Sequence, residues 1–462
     1  MYQISFDNPR HVYFCGIGGI SMSGLAEILL DNGFTVSGSD RADSELLDHL
    51  RAMGAKVFIG QKAENITEDI DLVVFTAAIH PDNPEYVRTR ELKIPTLTRA
   101  ELLGEIMNSY RESIAVSGTH GKTTTTSMIS QILMEARKDP TISVGGILPA
   151  IHGNVRVGHT PYFVAEACEY TNSFLSLNPR IGIILDIDAD HLDFFKDLDD
   201  IRHSFMLFAE RIPDDGCLIL NTEIPHREEL TKGLRCRIIT YGISDTSADY
   251  WAENITYDAL AHPSFDACCR RDGEIYRTHF ALKVPGEHNV ANALAAIACA
   301  DLLEIPRTGT AAGLAAYTGT DRRFQYKGTM DGVTVIDDYA HHPTEIRSTL
   351  SAARKLQAGK LWCVFQPHTY SRTKSLFDEF ASALSMADEI VLADIYAARE
   401  TDTLGVSSEL LAGAIEKNGT PAHYFDSFEE IEDFLRKNCR KDDVLITMGA
   451  GNVYRIGEDL VT

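Results

Sequence analysis

Short apolar runs alternate with helical patterns along almost the whole chain. In the first part, "HVYFC", "FTVSGSD", "AKVFIG" and "DLVVFTAAI" read as buried strands. Between the first two, "ISMSGLAEILLDNG" places apolar residues at helical spacing and closes on Gly33. Strands separated by helices predict a parallel sheet. The second part opens with "SIAVSGTHGKT", again strand, glycine-rich turn and helix. The helix after Lys122 gathers Met128, Ile129, Ile132, Leu133 and Ala136 on one face. "YFVAEA" and "RIGIILDI" predict further buried strands, and two β-rich runs around Asp272-Gly273 predict a hairpin, hence some antiparallel sheet. "HNVANALAAIACADLLEI" predicts a long, mostly buried helix. In the third part "VTVIDDYA", "LWCVFQPH", "EIVLADIY" and "DDVLITMGAGN" are strands separated by helical stretches, a second open α/β sheet with its own core. The expected organisation is therefore α/β with three domains: 1–110, 111–319 and 320–462.

The length, 462 residues, agrees with more than one core. The net charge of −24 argues against nucleic acid, whose phosphates need a basic footprint, but not against a phosphorylated small molecule in one positive pocket. Nine cysteines carry no C-x-x-C pair. With no leader-like start and no apolar run near membrane-spanning length, a cytoplasmic protein with reduced thiols, no membrane partner and at most weak self-association is expected.

Two glycine turns carry candidate chemistry. "GTHGKTTTT" follows a strand and opens a helix, so backbone N–H groups and the helix dipole converge on one point. It departs from the common phosphate loop because Val116 stands where the first glycine belongs. Gly118, Thr119, His120, Gly121, Lys122, Thr123 and Thr124 form the candidate cradle, with Lys122 reaching terminal phosphates and the Thr123 hydroxyl suited to Mg²⁺. An incidental G-K-T at a threonine-rich helix start would read the same way. The other turn, "CGIGGISMSG", sets Gly16, Gly18 and Ser21 as G-x-G-x-x-S between a strand and a helix that begins near Gly19, and Asp40 ends the next strand. Either a diphosphate or a purely structural glycine turn fits it. His341-His342 invites a zinc reading, yet no third and fourth ligands lie at suitable spacing in the sequence.

The stretches "GIGGISMSGLAE", "GTHGKTTTTSM", "DADHLDFF", "GEHNVANALAA", "DRRF", "DDYAHHPTEI" and "FQPHTYSRT" occur in this order, and together they resemble the Mur ligase family. The resemblance implies three domains: a Rossmann-like one for a UDP-sugar, a central P-loop ATPase-type one for ATP, and a Rossmann-like C-terminal one for an amino acid. It implies that ATP phosphorylates the lactyl carboxylate of UDP-N-acetylmuramic acid and that the amine of L-alanine attacks the acyl phosphate. Gly18, Gly19, Ser21 and Asp40 then face the sugar nucleotide. Glu166 and His191 match positions of a second metal ion, Mg²⁺ or Mn²⁺. Asn289 and Asn292 match an adenine-contacting helix start, although they could equally cap that helix. Arg322 and Arg323 fall at a domain link, where an arginine meets phosphate only on closure, and Asp338 suits a ribose contact. Tyr339, His341 and Arg372 form the expected amino acid clamp, since a guanidinium can hold both carboxylate oxygens. Ser21, the "EACEYT" stretch with Cys168 and Tyr170, and Thr369 depart from the family pattern. A sibling ligase that recycles a tripeptide, a nucleotide switch and an NAD-dependent dehydrogenase are the rival readings. The "FQPHTYSRT" stretch, the lack of an N-K-x-D base reader and the G-K-T loop, respectively, speak against them.

Overall fold

The structure is a computed structural model that describes residues 3–462 apart from 77–78, 193, 272, 357–358, 399 and 402. Asp272 of the expected hairpin turn and Ala77 and Ala78 at the end of one expected strand lie outside the described residues.

Three sheets stack along the chain. The first is all parallel: His11–Cys15 lies at its centre between Thr35–Asp40 and Leu72–Phe75, with Lys56–Ile59 and Thr96–Thr98 outermost. Its central strands are buried on both faces, which explains their unbroken apolar runs. The second sheet has 10 strands. Glu112–Ser117 sits between Ile181–Ile184 and Tyr162–Glu166, all three parallel, so the loops at their C-terminal ends meet at one edge. The expected hairpin pairs Pro263–Arg271 with Glu274–Ala281. Antiparallel pairing extends further than expected: Tyr250–Tyr257 joins that hairpin, and Thr141–Leu148 folds back on Gly153–Arg156 at the opposite edge. The third sheet places Val444–Met448 between Val333–Asp338 and Leu361–Phe365 in parallel, with one antiparallel strand, Gln325–Met330, at its border. No helix among the described residues is long and apolar enough to cross a membrane.

The third sheet has its own apolar clusters, one on each face, around Phe365 and Ile446 and around Trp362 and Leu445. The first two parts, by contrast, share one continuous core that runs from Val12, Leu25 and Leu103 to Phe163, Phe174 and Phe205. Two glycines make that close approach possible. A side chain at Gly24 would overlap Val155, and one at Gly104 would overlap the Ser176 carbonyl oxygen. All nine cysteines are free thiols, and only Cys168 is less than fully buried. Cys268 and Cys269, being adjacent on a strand, point to opposite faces.

Two helical glycines should respond in opposite directions. Gly104→Ala should destabilise by about 1–3 kcal/mol, because the new methyl meets backbone. Gly413 lies in the helix Ser408–Lys417 with open space where its Cβ would be. Gly413→Ala should therefore stabilise by about 0.5–1 kcal/mol. Urea or thermal midpoints of the two variants check the pair of signs.

Candidate active site

The loop after Glu112–Ser117 has the backbone that a phosphate cradle needs. Gly118 has φ +144° and Gly121 has φ +79°, a left-handed residue at the cap of the helix Lys122–Glu135. A Cβ at Gly118 would come within 2.9 Å of Asp186, and one at Gly121 within 2.6 Å of Asn292 Oδ1, so only glycine fits either place. The loop wraps around its own lysine. Lys122 Nζ donates to the carbonyls of Gly118 (2.6 Å) and Thr119 (2.9 Å) and pairs with Glu169 Oε2 at 2.9 Å. Burial opposes the charge on Lys122, but Glu169, Cys168 and Glu166 outweigh it and hold the ammonium above its ordinary pKa. Lys122 therefore stays charged, and an incoming phosphate would meet a full cation.

Thr123 Oγ1 donates to Glu166 Oε2 at 2.9 Å, and the same oxygen accepts from Gly145 N at 2.8 Å. A hydroxyl and a carboxylate side by side next to the phosphate loop are hard oxygen donors, which fits Mg²⁺. His191, the third residue expected at a metal, has its closest charged contacts elsewhere. Its Nε2 lies 3.9 Å from Glu169 and 3.8 Å from Asp190, and its ring lies 4.5 Å from that of Tyr170.

Asp186, Asp188 and Asp190 follow the strand Ile181–Ile184 at alternate positions. Between them they take partners from both the central and the C-terminal domain. Asp186 accepts from His120 N at 2.8 Å. Asp188 lies 3.3 Å from His120 Nε2 and accepts from Thr344 Oγ1 at 2.6 Å. Asp190 accepts two bonds from Arg372, at 3.0 and 2.9 Å. Burial pushes Asp190 up, but Arg372, then His191 and His341, hold its carboxyl far below the ordinary range. His120 is pushed down by burial and then well up by Asp186, Asp188 and Glu345.

A cavity of about 320 Å³ opens beside the phosphate loop, between the central and C-terminal domains. His120, Gly121, Thr124, Asn289, Asn292, Arg323 and Asp338 all line it. The two asparagines are not helix caps: the cap position is Glu287, Asn289 donates to Pro285 O at 2.7 Å, and Asn292 donates to Asn289 Oδ1 at 3.0 Å. Asp338 accepts from Ala340 N and Phe324 N, and burial raises its pKa to about 6 against the pull of Arg323. The two arginines at the link diverge. Arg323 faces the cavity and Glu345, at 3.7 Å, whereas Arg322 is bound within the C-terminal domain to Asp337, Gly449 O and Gly451 O.

A second cavity, of about 390 Å³, is lined by His191, Tyr170, His368, Thr369 and Arg372. His341 stands nearby, its ring 6.0 Å from that of His368 and 5.4 Å from that of Tyr339. Burial lowers both His341 and His368 to about 4, so both are neutral imidazoles at pH 7. His341 Nδ1 contacts Tyr339 O at 3.0 Å, which leaves Nε2 as its acceptor. Thr369 takes a left-handed backbone (φ +64°) and its hydroxyl lies 3.4 Å from that of Ser371. The first glycine turn lies apart from both cavities. Gly18 N donates to Asp40 Oδ2 at 2.8 Å, and Gly19 and Ser21 are exposed at the start of the helix Ile20–Asp31.

The sequence reading did not single out Glu169, Asp186, Asp188, Asp190 or Glu345, the acids that hold the named cations. The available signal was the alternation of acids in "DIDADH" just past a buried strand.

Comparison with known proteins follows the same order of parts. The model of the Mur ligase family catalytic domain matches residues 11–111, that of the Mur ligase middle domain residues 116–300, and that of the Mur ligase glutamate ligase domain residues 322–451. A UDP-N-acetylmuramate–L-alanine ligase of Agathobacter rectalis is 59% identical, with all of both chains covered. The crystal structure of a UDP-N-acetylmuramate-alanine ligase from Thermotoga maritima superposes with a TM-score of 0.78 at 31% identity, over 98% of each chain. A murein peptide ligase from Psychrobacter arcticus gives 0.70 at 26% identity, also over 98% of each chain. Likeness of this extent, spanning the whole chain and all three of its sheets, places the chain in the Mur ligase family.

Proposed function

We propose that this chain is an ATP-dependent amide ligase that joins L-alanine to the lactyl carboxylate of UDP-N-acetylmuramic acid, a step in peptidoglycan precursor synthesis. The observation that carries the reading is a charged seam that links residues bordering two separate cavities. The phosphate loop borders the first cavity, His191 and Arg372 border the second, and Glu169 bridges Lys122 and His191 between them. Among solved structures, 31% identity and a TM-score of 0.78 to an L-alanine ligase, against 26% and 0.70 to a murein peptide ligase, support L-alanine over a recycled peptide as the incoming amine, as does 59% identity to a further L-alanine ligase.

The chemistry needs that arrangement. A carboxylate oxygen attacks the terminal phosphorus of ATP, ADP leaves, and the amine nitrogen then attacks the acyl carbon as the C–O bond to phosphate breaks. Two anions must first be brought together, and Lys122, held charged, offsets their repulsion. Thr123 and Glu166 would hold Mg²⁺, which supplies further positive charge on the phosphate oxygens. Asn289, Asn292 and Asp338 line the cavity where adenine and ribose would lie, and Arg323 reaches it from the link. Arg372 takes the L-alanine carboxylate. His341, a neutral imidazole, stands beside that clamp with its ring 6.0 Å from that of His368. The glycine turn at Gly18, Gly19 and Ser21, with Asp40, receives the sugar nucleotide's diphosphate on the first helix. The chain acts as a monomer or weak homo-oligomer.

The decisive assay is ADP release with each substrate omitted in turn. Release should require UDP-N-acetylmuramic acid, L-alanine and Mg²⁺ together. Release without L-alanine at the full rate, or tight NADH binding that competes with the sugar nucleotide, would refute the assignment.

Lys122→Ala should lower kcat by at least about 10²–10³-fold while circular dichroism stays unchanged. Near-normal ADP formation would mean that the loop does not serve phosphate.

Arg372 and Asp190 are both about nine-tenths buried, so Arg372→Ala leaves a buried carboxylate that has lost its guanidinium and keeps His191 beside it. It should cost about 3–5 kcal/mol of stability and raise KM for L-alanine by about 10- to 150-fold. Arg372→Ala combined with Asp190→Asn should recover most of the stability but not the KM. Recovery of both would make Arg372 a domain tie rather than a substrate clamp.

A further inference from the structure

His342 lacks metal-ligand companions in the sequence, but the fold supplies two. His120 on the phosphate loop and Asp188 past the strand Ile181–Ile184 come from the central domain, and His342 caps the helix Pro343–Ala353 of the C-terminal domain. One ligand atom from each falls within 4.8 Å of the others. His120 Nε2 is 3.3 Å and His342 Nδ1 is 3.8 Å from the same oxygen, Asp188 Oδ2. Zinc–nitrogen and zinc–oxygen bonds of about 2.0–2.2 Å at a tetrahedral angle place ligand atoms ~3.3–3.5 Å apart, so small side-chain shifts suffice.

The surroundings match as well. Zinc-bound histidines characteristically give the second ring nitrogen to a carboxylate or a backbone carbonyl. Here His342 Nε2 lies 3.2 Å from Ala189 O, and His120 Nδ1, buried without a hydrogen bond among the described residues, faces Glu345 Oε1 at 3.4 Å. Thr344 reaches the group twice: its hydroxyl bonds Asp188 Oδ2 at 2.6 Å, and its N–H makes a 3.3 Å cap bond to His342 Nδ1 that a metal would replace. The side chain of Asp188 is 36% exposed, which leaves room for water to complete the coordination.

We propose that His120, Asp188 and His342 form a zinc site that ties the C-terminal domain to the phosphate loop. Two imidazoles and one carboxylate favour zinc over the magnesium suited to Thr123 and Glu166. The site shares His120 and its neighbours Thr344 and Glu345 with the border of the first cavity, but its test reads zinc uptake and does not depend on turnover.

The test is titration of the metal-stripped full chain with zinc chloride, in excess Mg²⁺, by calorimetry and thermal unfolding. One equivalent should bind and raise the unfolding midpoint. His342→Ala and Asp188→Asn should each abolish both effects, Glu345→Gln should weaken binding by about 10- to 100-fold, and Cys168→Ser should leave it unchanged. Uptake undiminished in His342→Ala, loss in Cys168→Ser, or no uptake by the parent chain would overturn the proposal. Cobalt(II) in the unaltered chain gives an answer that does not rely on variants folding. A tetrahedral visible spectrum without a sulfur-to-metal charge-transfer band is expected, whereas that band would put the metal on cysteine and end the proposal.

Discussion

The active region rests on the neutralisation of three acids placed at one edge of the central sheet. Asp186, Asp188 and Asp190 leave the strand Ile181–Ile184 at alternate positions; Asp190 is buried and the other two are half-buried, and crowding three carboxylates at one strand end calls for partners. Asp186 is held by a backbone N–H of the phosphate loop, so it fixes the loop. Asp188 and Asp190 are held by Thr344 and Arg372, residues of another domain, so they fix the seam. A single strand end thereby sets both the shape of the cradle and the place where the C-terminal domain docks.

The same logic explains why Lys122 lies folded on its own loop. A buried ammonium needs acceptors, and two carbonyls with Glu169 provide them. Phosphate oxygens are acceptors of the same kind and can replace them. Arg372 stands in a parallel relation to Asp190: a carboxylate of the protein occupies the fork that a carboxylate of the substrate would use. At both places a protein group of suitable charge is in contact with the cation that the ligand would engage.

Much of this was legible in the chain. Buried strands read as unbroken apolar runs because both faces of a parallel sheet are covered. The phosphate loop was visible because its glycines satisfy local demands, a positive φ and close backbone approach, which depend on few neighbours. Arg323, Asn289, Asn292 and Asp338 do share one cavity. The extra antiparallel pairings were not legible, because "TISVGGIL", with two adjacent glycines, gives little periodic signal. Nor was the shared core of the first two parts. It rests on Gly24 and Gly104 being small where another layer presses, and neither local pattern differs from that of an ordinary helix glycine.

The amino-acid sequence by itself determined the element order, the three-part organisation, the two glycine turns and the residue types able to handle phosphate and a carboxylate. These follow from φ/ψ preference, side-chain period and chemistry, all properties of residues near one another in the chain. Only the tertiary structure decided which acid meets which cation. Asp190 and Arg372 are 182 residues apart, Asp188 and Thr344 are 156 apart, and the two neighbouring link arginines, Arg322 and Arg323, turn to opposite environments. Which partner a buried charge takes is settled by desolvation together with the domain packed against it, and neither has a signature in local sequence.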